Sequence, residues 1–383
     1  MLLRSKAVRA GLVAVLGVLT PCLSLGSIKG DRDGDGDVDL VDFGGFAECM
    51  AGPDGGLALN CGALDFDNDA DVDAFDFAGF QIVFGIGGPI EIETVEVGNP
   101  GNAGELSGEG AGGHGPDRLC GGVDYTYSIG KYEVTAGQYT AFLNAVASTD
   151  PHGLYSGNMW SAVDGCKIEQ HGDSGSYTYT VSQEWADRPV NYVNWGDAAR
   201  FVNWLHNGQP VGAQDLPTTE DGAYYLNGET DEGLFSVARE SDATWVIPSE
   251  DEWYKAAYHF NDGVTSNYWD YPTGTNTLPT SEAPPGTDLT NGSANYNTWS
   301  NGAPYFRTVG GAYDAKPSVS PYGTFDQGGN VWEWTDTSMF DWAKCLRGSS
   351  YGNDFEMMHA AHRQEAPPAL TFGHVGFRIA RVR

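Results

Sequence analysis

The chain has 383 residues, with 52 acidic against 20 basic side chains and a formal net charge of −32. A phosphate-backbone partner needs a basic footprint, so nucleic-acid binding is excluded, while cation binding is permitted. Abundant glycine, 12% aromatics and the absence of long heptads point to a turn-rich fold of short elements rather than a helical bundle.

Residues 1–27 read as an export signal. Arg4, Lys6 and Arg9 form a basic head, Gly11–Thr20 is an apolar core, and Pro21 and small residues lead to Gly26 and Ser27. The apolar run is short for a membrane span and no second span follows, so the mature chain is expected to be secreted or held at the cell surface. Of the six cysteines, Cys22 leaves with the signal. Cys49 and Cys61 flank a Gly/Pro-rich loop and are the first candidates for a disulfide. The odd total leaves one thiol unpaired among Cys120, Cys166 and Cys345.

Residues 28–84 contain an internal repeat, with "DRDGDGDVDLVDFGGF" (Asp31–Phe46) matching "DFDNDADVDAFDFAGF" (Asp65–Phe80). Aspartates stand at loop positions 1, 3, 5, 7, 9 and 12 in both copies. They are Asp31, Asp33, Asp35, Asp37, Asp39 and Asp42, then Asp65, Asp67, Asp69, Asp71, Asp73 and Asp76. Such spacing wraps one calcium ion per loop. Val38 and Val72 are apolar at the position where paired loops meet. Gly36 sits at the sharp turn of the first loop, whereas the second has Ala70 there. A duplicated loop followed by an exiting helix, here about 41–50 and 75–83, resembles a type I dockerin. The resemblance implies a small all-α domain that docks onto another protein. Leu40-Val41 and Ala74-Phe75 replace the polar pair that dockerins carry, so the docking surface is expected to be apolar.

A Gly-rich linker, residues 85–91, leads to one long unit at 92–383. Thr135 opens a helix with Gln138 completing a capping box, and Tyr139, Phe142, Leu143 and Val146 form its buried stripe. "NWGDAARFVNWLHNGQP" repeats the pattern with Ala198, Phe201, Val202 and Leu205, and is stopped by Gly208 and Pro210. "TWVIPSEDEWYKAAYHF" reads as a strand, a Ser249 cap with Glu252 at the third position, and a helix. Amphipathic helices among irregular loops and isolated strands give α+β. In "FDQGGNVWEWTD" a strand would place Val331 and Glu333 on one face and Trp332 and Trp334 on the other. A carboxylate in such surroundings needs a cation, either a metal or an arginine such as Arg347 or Arg378.

Seven blocks in order resemble the formylglycine-generating enzyme family, the sulfatase-modifying factors: "IGKYEVTAGQYTAFL", "PVNYVNWGDAARFVNWL", "WVIPSEDEWYKAAY", "YWDYPTG", "SPYGTFDQGGNVWEWTD", "CLRGSSYGNDF" and "VGFRIA". The resemblance implies a low-regularity α+β fold related to C-type lectins. It also implies calcium held by Asp326 and Glu333 side chains with Gly329 and Val331 carbonyls, and a second calcium near Asn295 and Tyr296 whose acidic partner falls around Ala303. Catalytic members are expected to oxidise a sulfatase cysteine with oxygen and a copper ion held by two cysteines. Asn353 and Met358 stand near those two positions here, and no cysteine follows Cys345. Copper is therefore not expected, and calcium is the expected cofactor.

His359, His362 and His374, with Asp354 and Glu356, are a possible alternative metal set. Trp160, Trp185, Trp269 and Trp299 are candidate contacts for a glycan or protein ligand. Two functions stand against each other: a non-catalytic binding and presentation module, and an oxidase or diverged oxygenase on the same scaffold.

Overall fold

The computed structural model describes residues 30, 32–33, 38, 40–50, 55–66, 70–73, 76–77, 80, 89–297, 304–314 and 318–382. The chain divides into two compact units after Gly85. The proposed export signal, Trp299 and Ala303 lie outside the described residues.

In the first unit, helix α1 spans Leu40–Cys49. Of the second exiting helix, Asp76, Phe77 and Phe80 are helical and the rest lies outside the described residues. Val38 and Val72, the matching loop valines, are both fully buried in one cluster with Phe46, Leu64 and Phe80. A disulfide joins Cys49 to Cys61 beside that cluster. So small a core needs such a staple. Ala70 adopts φ +71°, the left-handed conformation that a glycine would take without strain.

In the second unit, α2 spans Ala136–Val146, α3 Trp195–His206 and α4 Glu250–Tyr258. Each opens on a reciprocal capping box: Thr135 with Gln138, Asn194 with Asp197, and Ser249 with Glu252. These pairs satisfy backbone donors that a helix start leaves orphaned. The expected stripe of α3 understates its burial, because every residue from Trp195 to Leu205 is buried. Two of its buried polar side chains are bonded internally. Arg200 grips Glu220 with two bonds of 2.6 and 2.9 Å, and Asn203 donates to the carbonyls of Thr219 and Tyr224. Phe142 of α2 meets Phe201 of α3 edge-on at 5.4 Å, which joins the two helices into the main core.

Two four-stranded sheets frame the unit. The first pairs β1 (Thr94–Val97), β2 (Tyr127–Gly130), β8 (Ala380–Arg381) and β3 (Trp245–Val246), in that order and all antiparallel. The second runs β6 (Gln364–Ala366), β5 (Ala343–Arg347), β4 (Trp332–Phe340) and β7 (Val375–Gly376). The β4–β5 hairpin sets Glu333 opposite Arg347, and the parallel β4–β7 pairing sets it beside Gly376. Val331 to Trp334 are all buried, so both faces of this strand end are covered. Among the described residues no helix is long and apolar enough to cross a membrane.

Candidate functional site

Glu333 takes the arginine partner. Its carboxylate receives Nε and Nη2 of Arg378 at 2.5 and 2.7 Å and the indole N–H of Trp253 at 2.7 Å. All three side chains are fully buried. Arg378 also donates to the carbonyls of Gly130 and Phe325, tying three segments to one point. Arg347, the register partner, instead serves Glu250. Both oxygens of Glu333 are thus engaged before any metal is considered.

The surroundings hold two further carboxyl groups that Arg378 does not pair. Glu133, just ahead of α2, is buried, and its Oε1 has no hydrogen-bond partner; its Oε2 lies 3.5 Å from Asn330 Nδ2. Burial, then the charges of Asp326 and Glu333, push its carboxyl well above the ordinary range. Asp326 receives the Gly311 N–H at 2.7 Å, and burial pushes its carboxyl up to about 6. The turn that carries these groups is strained, with Asp326 at φ +58° and Asn330 at φ +57°. Gly329, at φ +88°, is required: a Cβ there would lie 2.4 Å from the Asn295 carbonyl. Two cavities border the cluster. One of about 10 Å³ is lined by Asp326, Thr273 and Thr324. The other, about 190 Å³, is lined by Glu91, Glu93, Tyr132 and Glu133.

Asn295 and Tyr296, the second expected calcium set, make hydrogen bonds to neighbouring loops. Asn295 donates to the Phe306 carbonyl and accepts the Asn330 N–H on its own carbonyl. The Tyr296 carbonyl accepts the Ser281 hydroxyl at 2.6 Å.

The positions where copper-binding cysteines would stand are filled differently. The Asn353 side-chain oxygen accepts the Trp332 indole N–H at 2.8 Å and the Ser350 hydroxyl. Met358 is fully buried in an apolar cluster with Ala294 and Tyr296. Neither offers the thiolate that the resemblance implies for a cuprous ion; Met358 carries a thioether and Asn353 an amide. The expectation of a single unpaired thiol is corrected: Cys120, Cys166 and Cys345 are all buried and free. Cys120 Sγ lies 3.3 Å from Arg347 and Cys345 Sγ 3.2 Å from Glu250, so each is spent as a small buried side chain in an ionic setting.

The histidine set does not converge. His359 faces Asp270 at 3.7 Å, His362 stacks on His114 at 5.3 Å, and His374 packs near Phe372. Burial lowers the imidazole of His362 to about 4. Among the described residues, the group whose ligand atoms do converge is Asp71, Asp73 and Asp76, all buried and within 4.8 Å of one another. Asp76 accepts the N–H groups of Phe66 and Asp73, as Asp42 accepts those of Arg32 and Asp33 in the first loop. Asp65 is also buried. Asp31, Asp35, Asp37, Asp39, Asp67 and Asp69 lie outside the described residues.

The expected aromatic surface is redrawn. Trp160 is exposed, but Trp185 is buried against Tyr305 and Trp269 stacks on Phe260 at 4.0 Å. The exposed pair is instead Phe340 and Trp342, nearly parallel at 5.7 Å, at the β4–β5 turn. Their Phe-Asp-Trp spacing past the end of a strand was the available signal. Sequence reasoning also passed over Glu133, which looked like an ordinary polar residue before a cap.

Residues 122–383 match the family described as "Sulfatase-modifying factor enzyme 1-like domain". No curated protein matches the chain. Similar solved structures include "Treponema denticola variable protein 1", with TM-score 0.46 and 17% identity over 77% of this chain and 97% of that one. The "Crystal Structure of CarF" follows with TM-score 0.44 and 21% identity over 76% and 99% of the two chains. PvdO from Pseudomonas aeruginosa has TM-score 0.42 and 17% identity over 76% and 95%.

Proposed function

The chain belongs to the sulfatase-modifying factor enzyme 1-like family, and we propose that it serves there as an exported, calcium-stabilised binding and presentation module without oxidase chemistry. One observation carries this reading. The two places that the resemblance reserves for copper thiolates hold an asparagine fixed by Trp332 and Ser350 and a methionine sunk in an apolar cluster. The thiolate pair implied for copper is missing there, so no oxidative step is assigned to these residues.

Calcium suits the donors that are present. Buried Glu133 and Glu333 and half-buried Asp326 set three carboxyl groups against the single guanidinium of Arg378. A hard, oxygen-ligated cation near Asp326, Gly329 and Val331 would relieve that excess. The convergent Asp71, Asp73 and Asp76 support calcium in the first unit too. That unit is read as a dockerin-like attachment to a secreted or surface assembly, with Val41 exposed on α1. The Cys49–Cys61 disulfide favours an oxidising, exported setting. Trp160, Phe340 and Trp342 are the exposed aromatics offered to a glycan or protein ligand.

The test incubates the purified chain with copper, oxygen and a peptide bearing the sulfatase cysteine motif. No aldehyde is expected. Aldehyde formation would overturn the reading in favour of an oxidase. A glycan array run with and without chelator, using Trp160→Ala and Trp342→Ala beside the unaltered chain, then separates a sugar-binding module from a protein-binding one.

A further inference from the structure

The first sheet of the second unit ends on β1, and the phase of its hydrogen bonds shows which backbone groups face outward. Just ahead of the strand, the Lys131 N–H donates to the Glu93 carbonyl at 2.9 Å. Bonded and non-bonded pairs alternate along an antiparallel ladder. Thr94 and Glu96, opposite Gly130 and Ser128, therefore turn their N–H and carbonyl groups away from β2. The far side of β2 agrees, because the Gly130 N–H donates to the Ile379 carbonyl at the start of β8. Among the described residues, the outward groups of Thr94 and Glu96 have no hydrogen-bond partner.

We propose that this open edge of β1 docks an extended peptide segment bearing basic side chains, which adds to the sheet as a further strand.

The edge is held ready for such a partner. Val97 is fully buried, and Val95, Ile92 and Ile90 pack on the main core. The Gln209 amide grips both the N–H and the carbonyl of Ile90, at 2.7 and 3.0 Å, and fixes the entry to the strand. An edge already ordered costs little to order on binding. Its backbone groups give an incoming chain directional bonds, and the side chains choose which chain. Glu91, Glu93 and Glu96 are all exposed. Lys131 takes Glu93 at 2.6 Å, whereas Glu91 and Glu96 have no ion pair among the described residues. A second copy pairing edge to edge would set these glutamates against their own kind, which disfavours it. A strand carrying lysine or arginine meets them with opposite charge. The cavity of about 190 Å³ at the start of the strip, lined by Glu91, Glu93 and Tyr132, leaves room for a long basic side chain. This edge belongs to other elements than Trp160, Phe340 and Trp342, and the inference stands without them.

The probe is a short synthetic peptide of alternating lysine and threonine, titrated calorimetrically into the full mature chain. A second peptide carries glutamate in place of lysine and should not bind. Two further versions are methylated on alternate backbone amides. Methylation of the set that faces the edge should abolish binding, and methylation of the other set should leave it intact. Amide exchange at Thr94 and Glu96 should be fast in the chain alone and slow with the peptide. Thr94→Pro removes an outward donor without entering the β1–β2 ladder, so it should melt with the unaltered chain yet bind the peptide about tenfold more weakly. If Thr94→Pro does not fold, the methylated peptides give the same reading on the unaltered chain. Equal binding of both methylated peptides would overturn the proposal in favour of charge attraction alone, and binding of the glutamate peptide would overturn the choice of a basic partner. Slow exchange at Thr94 and Glu96 without peptide would also overturn it. In that case dependence on protein concentration assigns the edge to a second copy, and independence assigns it to another segment of this chain.

Discussion

Replacing Glu250 by glutamine removes the one charge that holds three guanidinia together at the start of α4. Glu250 is fully buried and binds Arg347 at 2.7 Å, Arg363 at 2.7 Å and Arg118 at 3.3 Å. Burial alone would raise its carboxyl, but Arg347, Arg363 and Arg118 overwhelm that effect and hold it at about 2, against an ordinary 4.5. At about 1.4 kcal/mol for each tenfold in proton affinity, the gap corresponds to about 3 kcal/mol of stability. Removing one partner of a buried ion pair gives a similar figure, about 3–5 kcal/mol. Because the folded value is depressed, this stability is fully present above pH 4.5 and is lost as the pH falls toward 2. Glu250→Gln should lower the melting midpoint of the second unit at pH 7 by roughly 6–12 °C. The difference between variant and parent should close as both are titrated from pH 4.5 to 2. Hydrogen exchange should quicken at Ala360–Arg363, because Arg347 also clamps the carbonyls of Ala360 and His362. A midpoint loss worth less than about 1 kcal/mol at pH 7, or a loss undiminished at pH 2, would show that charge does not hold this junction.

Reducing the Cys49–Cys61 disulfide, which closes a sequence separation of 12 residues, should cost the first unit about 3 kcal/mol. Calorimetry with and without reductant should shift that transition and leave the melting of the second unit in place. Burial pushes the Asp197 carboxyl up to about 8, so its contribution is complete below its unfolded value near 3.8 and is lost as the pH rises through about 8. Asp197→Asn should flatten that slope in urea melts between pH 5 and 9, making the variant the more stable protein at the alkaline end. Asn353→Ala should leave the Trp332 indole without its acceptor, at about 1–2 kcal/mol, with a change in tryptophan emission on the same titration.

Local signals in the sequence were enough to fix the helix starts. Thr135 with Gln138 and Ser249 with Glu252 are contiguous patterns, and a capping box is made within four residues whatever the rest of the chain does. The Cys49–Cys61 pairing was legible for the same reason, since a short loop brings its ends together cheaply. The alternation around Glu333 predicted a strand and demanded a cation, but it could not say which cation. Arg378 answers from far along the chain, and only after β7 has laid the following segment beside β4. Glu133 shows the same limit from the other side: nothing in "KYEVT" marks a carboxylate whose oxygen will be buried without a partner next to Asp326. The histidines at 359, 362 and 374 and the tryptophan at 185 looked available in sequence, and tertiary packing dispersed or buried them. Composition and spacing thus determine the acidic character, the repeated aspartate loops and the helix caps, because those depend on neighbours in the chain. Which charges neutralise one another is decided only by the fold, because Coulomb energy in a buried site depends on distance and desolvation, and sequence separation measures neither.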